Sequence, residues 1–196
     1  MTQKAFYSKK QTIREEAPLN KSDLRIEFLS KVADLSLSEK KHASDKAALF
    51  LIKNYSSLSL VASFSPLQSE LDINPFNKLL AKKGGLALPK VENNILIFYK
   101  VSDLSNELML SKKKILEPNP KKCQKIAPSN LSLLILPGLA FDLNHIRLGR
   151  GGGFYDQFLG ENNSTQTVGI AFKIQLFQGQ LPKEEHDLAI DRVFSF

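Results

Sequence analysis

Apolar residues recur along this chain first at helical and then at strand spacing. Ile13 and Ala17, with Phe6 behind them, share a helical face that Pro18 interrupts; Leu24, Phe28, Leu29 and Val32 resume the spacing beyond it. Ser36 or Ser38 can cap the next helix, whose apolar stripe is Ala43, Ala47, Ala48 and Leu51. The first 55 residues therefore read as helical. Leu58 to Phe64 reads as a strand, and Pro75 to Lys83 as a helix stopped by Gly84-Gly85. Leu86 to Val91 and Ile95 to Val101 read as strands joined by a short turn at Glu92-Asn93-Asn94.

The polar, lysine-rich segment from Ser102 to Asn130 reads as a long surface excursion. Leu131 to Leu136 is the expected central strand, Phe154 to Leu159 opens a helix, Thr167 to Phe172 is a strand and Leu188 to Phe194 a last edge strand. Helices alternating with strands predict an α/β fold. The expectation is one domain over residues 1–196: a mixed, mostly parallel sheet flanked by helices on both faces, with a helical N-terminal region.

The densest chemistry follows the apolar run Leu133-Leu134-Ile135-Leu136. Pro137-Gly138-Leu139-Ala140-Phe141-Asp142 comes first, then Arg147-Leu148-Gly149-Arg150-Gly151-Gly152-Gly153-Phe154-Tyr155-Asp156. Glycine lets a backbone approach a phosphate closely, and arginine offers a fork of donors matched to phosphate oxygens. A loop with both, at the carboxyl end of a strand, is where an α/β protein holds a nucleotide. The spacing is neither the dinucleotide fingerprint nor the Gly-Lys-Ser/Thr phosphate loop. A basic surface turn would be the plain alternative, but the flanking aromatics Phe141, Phe154 and Tyr155 argue against it.

Composition narrows the class. A hydrophobic share of 42% with 24% charged residues is that of a soluble globular protein. No apolar run is long enough to cross a bilayer, and the N-terminus lacks the pattern of a secretion signal. The single cysteine, Cys123, cannot make an internal disulfide, so the cytoplasm is the expected compartment. The net charge of +7, concentrated at Lys112-Lys113-Lys114 and at Lys121, Lys122 and Lys125, suits a polyanionic substrate. No nucleic-acid motif accompanies it, so no nucleic-acid partner is expected. His186 stands beside Asp187, but adjacent residues rarely orient one another as a catalytic pair and no nucleophile stands out.

The glycine-rich string resembles the signature of the 5-formyltetrahydrofolate cyclo-ligase family, also called 5,10-methenyltetrahydrofolate synthetase. The resemblance extends, more thinly, over nearly the whole chain. It implies an ATP-dependent ligase that closes 5-formyltetrahydrofolate to 5,10-methenyltetrahydrofolate, with Mg²⁺ as cofactor, most simply as a monomer. By the same resemblance ATP is bound by Lys10 and Arg14, one helical turn apart, and by Arg147, Leu148, Gly149, Arg150, Gly151, Gly152, Gly153, Phe154 and Tyr155. It places the folate at Ser65 and Glu70 and against Arg150, Gly151, Gly152, Gly153 and Phe154. A carboxylate at Glu70 can accept the adjacent N–H donors of a pterin. Arg150, Arg147 and Tyr155 are the implied catalytic residues, and Asp156 and Asp187 the implied metal carboxylates. The chain departs from the pattern at Gly152, where some members carry lysine, and at Phe154, where tyrosine is frequent. A sugar-phosphate or CoA-processing α/β enzyme, or a non-enzymatic nucleotide- or nucleic-acid-binding module, are the rival readings; neither calls for ATP turnover.

Overall fold

The computed structural model describes residues 20–112 and 114–196. Among these residues two long helices come first, α1 (Lys21–Asp34) and α2 (Leu37–Tyr55), then the short strand β1 (Val61–Ala62) and helix α3 (Asn74–Lys82). A hairpin, β2 (Leu86–Glu92) and β3 (Ile95–Val101), leads into β4 (Leu108–Leu110), β5 (Leu116–Pro118) and β6 (Gln124–Lys125). After β7 (Leu133–Leu136) come β8 (Ala140–Asp142), β9 (Arg147–Leu148) and helix α4 (Phe154–Glu161). The last strands are β10 (Thr167–Ala171), β11 (Leu176–Phe177) and β12 (Arg192–Ser195).

Local chemistry sets the helix boundaries. The Asn20 side chain accepts from Asp23 N–H to start α1. Ser36 and Glu39 form a reciprocal capping box at α2, with Glu39 N–H on Ser36 Oγ at 3.2 Å and Ser36 N–H on Glu39 Oε2 at 2.8 Å. Pro75 opens α3 in its first turn, where a missing N–H costs nothing. Its end is a Schellman closure: Gly84, at φ +71°, donates to Ala81 O and Gly85 donates to Leu80 O, both at 2.9 Å.

Among the described residues, seven strands form the main sheet in the order β12-β10-β7-β1-β2-β3-β6. The pairs from β12 to β2 are parallel, and β3 and β6 extend the sheet antiparallel. Alternation along the strands splits the core in two. Val61, Leu133, Ile135, Val168 and Ile170 pack with α2 and α3 on one face, and Ala62, Leu134 and Leu136 pack with Phe158 and Leu159 of α4 on the other. The expected mixed, mostly parallel sheet with helices on both faces is what forms.

Chain order makes β1 and β7 a topological switch point. From β1 the chain crosses through α3 to β2 on one side; from β7 it crosses through α4 to β10 on the other. The connections diverge there and leave a crevice beyond the carboxyl ends of the two strands.

Several boundaries differ from the sequence expectation. Leu58 to Phe64 contributes only the two paired residues of β1, and the last strand covers Arg192–Ser195 rather than Leu188 to Phe194. Leu29 is exposed, while Leu24, Phe28 and Val32 are buried. The excursion from Ser102 to Asn130 is not without structure: β4 and β5 pair as a hairpin and β6 joins the main sheet. The face built on Ile13 and Ala17, and the pair Lys10 and Arg14, lie outside the described residues.

Candidate active site

A cavity of about 1040 Å³ occupies the crevice at the switch point. Its walls come from the loop after β1, the turn after β7, the segment from β9 into α4, the start of α1, the β4–β5 hairpin and the loop around Asp187. Ser65, Glu70, Arg147, Leu148, Gly149, Arg150, Gly151, Gly152, Gly153, Phe154, Tyr155, Asp156 and Asp187, spread over more than a hundred residues of sequence, all line it. The structure thus brings together every predicted site residue that it describes.

Buried polar contacts hold the loops in place. After β1, Ser63 Oγ donates to Asn77 Oδ1 at 2.7 Å and Asn77 Nδ2 donates to the Phe64 carbonyl at 2.9 Å, fixing the approach to Ser65. After β7, Gln175 Nε2 donates to the carbonyls of Gly138 and Leu139 at 3.0 and 3.1 Å. Asp142 closes the β8–β9 turn by accepting from Asn144 and Ile146 N–H, both at 2.9 Å. That turn delivers Arg147 to the site. The glycine loop runs from Gly149 to Gly153, with φ +96° at Gly151 and +66° at Gly153, values that L side chains rarely adopt.

Arg147 points inward. It is 7% exposed, its Nη2 meets Asp156 Oδ2 at 2.9 Å, and its guanidinium carbon lies 5.4 Å from the Tyr155 ring centroid. A Cβ on Gly149 would stand 2.8 Å from Arg147 Nη1, so the guanidinium lies directly beneath the glycine backbone. Its Nε is buried with no hydrogen-bond partner among the described residues. Asp156, in the first turn of α4, serves that ion pair; it is not a side-chain cap, and Gly153 precedes the helix in the left-handed region.

Arg150 points the other way, its side chain 41% exposed. Nε and Nη2 both reach Glu70 Oε1 at 3.3 Å, and Nη2 also donates to Ser69 Oγ. Glu70 Oε2 accepts Leu67 N–H at 3.0 Å. Burial pushes the Glu70 carboxyl up, and Leu67 N–H and Arg150 only partly oppose the shift. Burial, with the charge of Glu70, also drives the Tyr155 phenol upward, so its hydroxyl keeps its proton as a donor.

Asp187 faces α1. Its Oδ2 lies 2.5 Å from Lys21 Nζ and accepts Glu184 N–H at 2.6 Å, while Lys21 also meets Glu184 Oε1 at 2.9 Å. Burial works against ionisation of Asp187, but the Glu184 N–H and Lys21 outweigh it and hold the carboxyl below its ordinary range. The two carboxylates of Asp156 and Asp187 are hard oxygen donors of the kind Mg²⁺ takes. No group of three or more His, Cys, Asp or Glu able to hold a metal occurs among the described residues. That donor set fits an ion completed by phosphate oxygens and water rather than a protein cage.

Sequence reasoning missed part of the wall. Lys21 and Arg25 stand four apart on α1 and both line the cavity, a spacing legible by the same logic that singled out Lys10 and Arg14. The hairpin β4–β5 adds Met109, Leu110, Ile115 and Leu116, and Lys90 Nζ ties it to β2 through Glu117 Oε2 at 3.0 Å.

Known proteins share this sequence and shape. The chain is 29% identical over 187 residues to a mouse protein named 5-formyltetrahydrofolate cyclo-ligase, covering 88% of this chain and 92% of the mouse protein. It is 36% identical over 139 residues to the 5-formyltetrahydrofolate cyclo-ligase of Escherichia coli K12, covering 68% of this chain and 75% of that one. The solved structure of Aquifex aeolicus 5,10-methenyltetrahydrofolate synthetase superposes with a TM-score of 0.78 at 32% identity, over 88% of both chains. A Mycoplasma pneumoniae 5,10-methenyltetrahydrofolate synthetase shares the fold at 23% identity, with a TM-score of 0.70 over 89% of this chain and 98% of that one. The profile of the 5-formyltetrahydrofolate cyclo-ligase family matches residues 8–195, and the chain belongs to that family.

Proposed function

We propose that the protein closes 5-formyltetrahydrofolate to 5,10-methenyltetrahydrofolate at the expense of ATP, releasing ADP and phosphate. The observation that carries this reading is the meeting of Glu70, Arg150 and the glycine loop in one crevice at the switch point. A carboxylate suited to a pterin and a loop suited to phosphates stand side by side there, which a reaction joining the two substrates requires.

Glu70 accepts the adjacent N–H donors of the pterin, with Ser65 on the same wall. The loop from Gly149 to Gly153 leaves room for phosphates to approach the backbone, and Arg150 lies between the two substrates. Phe154 and Tyr155 pack around the reactants. Lys10 and Arg14, assigned to ATP by resemblance alone, complete the phosphate set. Arg147, held by Asp156 beneath the loop, supplies positive charge from behind the backbone. Mg²⁺ bound with ATP would be held by Asp187 and Asp156 and would screen charge on the phosphates.

A formamide is a poor electrophile and its oxygen a poor leaving group. The formyl oxygen takes the γ-phosphoryl group: an O–P bond forms, the β–γ bridge breaks and ADP leaves. N10 then attacks the formyl carbon, the C–O bond breaks, phosphate departs and N10 loses its proton. Positioning and charge neutralisation are the protein's contribution. The cytoplasm and a monomeric state belong to this proposal; no described helix is long and apolar enough to cross a bilayer. The test is the absorbance of the methenyl product after mixing protein, Mg-ATP and 5-formyltetrahydrofolate. An ATP-dependent rise is expected; folded protein giving none would end this reading.

A further inference from the structure

We infer that the contact between Glu70 and Arg150 couples the two substrates: each must part the pair to reach its own group, and in doing so frees the other group for the second substrate. This rests on the cyclo-ligase reading, which gives Glu70 to the pterin and Arg150 to the phosphates, and concerns how the substrates bind rather than what they become. The two residues come from different walls of the cavity, Glu70 from the loop after β1 and Arg150 from the glycine loop. Arg150 Nε and Nη2 both reach Glu70 Oε1 at 3.3 Å, and Nη2 also donates to Ser69 Oγ.

A count of lone pairs shows what that contact withholds. Each carboxylate oxygen offers two acceptor positions. On Glu70, Oε2 spends one on Leu67 N–H at 3.0 Å and keeps one, whereas Oε1 spends both on Arg150. Two adjacent N–H donors of a pterin need one position on each oxygen. Glu70 therefore offers only half of that grip while Arg150 stays, and its side chain is 9% exposed. The arginine is withheld in the same way. Its Nε–Nη2 edge is one of the two with which a guanidinium holds a pair of phosphate oxygens, and that edge is turned to Glu70 and Ser69.

Their surroundings decide which partner moves. Glu70 is held at the backbone, where its N–H donates to the Leu67 carbonyl at 2.9 Å, and at the side chain by Leu67 N–H. Arg150 is 41% exposed and stands between Gly149 and Gly151, the latter at φ +96°. Phosphate draws Arg150 away. The carboxylate left behind, whose charge burial already disfavours, then gains most from N–H donors. A pterin that arrives first works in reverse, displacing Arg150 towards the phosphate loop. Linkage makes the two effects equal, so ATP and 5-formyltetrahydrofolate each tighten the other's binding by one common factor.

The experiment titrates 5-formyltetrahydrofolate by calorimetry into wild type, Arg150→Ala and Glu70→Gln, each with and without a saturating non-hydrolysable ATP analogue and Mg²⁺. The analogue is also titrated alone. In wild type it should tighten folate binding by about fivefold or more, the lower end of ordinary coupling between sites. Arg150→Ala should bring that factor to within about twofold of unity. Glu70→Gln, whose neutral amide holds the guanidinium less firmly, should bind the analogue about three- to tenfold more tightly than wild type while binding folate worse. Damage to a merely structural contact would not strengthen nucleotide binding. A wild-type factor within about twofold of unity overturns the inference. So does a factor that survives in Arg150→Ala, or an analogue affinity that Glu70→Gln leaves unchanged or weakens. Methenyl product formed by wild type without coupling defeats the inference and leaves the proposed reaction standing; coupling without product does the reverse. Wild type that fails to bind one or both ligands under every condition defeats both.

Discussion

Replacing Arg147 by methionine separates two roles that the motif alone cannot distinguish. An arginine exposed in a phosphate loop can be removed with little effect on folding. Arg147 is instead buried, its partner Asp156 is 8% exposed, and the two are 2.9 Å apart. Methionine keeps the length of the side chain but leaves the Asp156 carboxylate without its cation in a site that water hardly reaches. Breaking a buried pair from one side costs about 3–5 kcal/mol, and the Tyr155 face loses a contact of about 0.5–2 kcal/mol. Against this, the unpartnered Nε disappears, returning about 1–3 kcal/mol. The net is a loss of about 3 kcal/mol. In a chain of this length each kcal/mol moves the melting point by about 2–4 °C, so Arg147→Met should melt about 6–12 °C below wild type.

The double variant Arg147→Met with Asp156→Leu is the control. Removing both charges leaves no stranded ion, and such replacements range from neutral to stabilising, so the double variant should melt close to wild type while turning over no faster than either single. Thermal unfolding followed by circular dichroism, without ATP or metal, gives these values. A melting point for Arg147→Met within about 2 °C of wild type would refute the reasoning, because the stranded carboxylate would then cost less than one kcal/mol.

Glu70→Gln should raise KM for 5-formyltetrahydrofolate by more than about tenfold, since a charge-assisted contact contributes about 1.5–3 kcal/mol. Because burial raises the folded-state value of Glu70, its charge opposes folding once pH rises above the ordinary carboxylate range; the same variant should therefore melt higher than wild type at pH 8, a gain that fades towards pH 4, and a lower melting point at pH 8 would contradict the direction. Arg150→Ala removes a pair whose arginine is exposed but whose Glu70 carboxyl is largely buried, and the carboxyl that burial already raises can take up a proton when its partner goes, so the melting point should fall less than in Arg147→Met. In the same variant kcat should fall by about tenfold or more; unaltered kinetics would count against its proposed place between the substrates. Gly138→Ala would set a Cβ 2.6 Å from the Phe141 ring, and overpacking of that kind costs about 1–3 kcal/mol; a melting point within 1 °C of wild type, on the order of the scatter for an unperturbed site, would show that the ring can move.

Long periodic elements were legible and short cooperative ones were not. Leu24, Phe28 and Val32, the Ser36 cap and the Gly84-Gly85 stop follow from local spacing and backbone chemistry, and α1, α2 and α3 obey them. β1 is two residues long because both neighbours, β2 and β7, reach it only there, and pairing partners are not written in the strand itself. Strands β8 and β9, which with the later β11 form the small sheet, were hidden inside the motif, where Arg147 looked like loop. Which arginine of the motif faces inward depends on Asp156 arriving from α4 and on Gly138 making room for Phe141, both tertiary facts. The hairpin β4–β5 was masked by charge: Leu108-Met109-Leu110 and Ile115-Leu116 flank a lysine run that reads as solvated coil.

The net charge of +7 suggested an open positive field awaiting a polyanion. The cavity is built otherwise in most of its wall, for Lys21, Lys90, Arg147 and Arg150 are each already matched to an acid, and among the described residues only Arg25 and Lys112 of its lysines and arginines have no carboxylate within 4.0 Å. An anion can meet Arg25 and Lys112 directly but reaches the other four only by exchange of partners, and burial decides which pair can exchange. Arg147 and Asp156 are buried at both ends, so parting them strands a charge in a low-dielectric wall. Arg150 is 41% exposed and can be resolvated as it turns, while its partner Glu70 is a carboxylate whose charge the fold already disfavours. The Glu70–Arg150 pair, where the loop after β1 meets the glycine loop, thus opens at a lower cost than Arg147–Asp156.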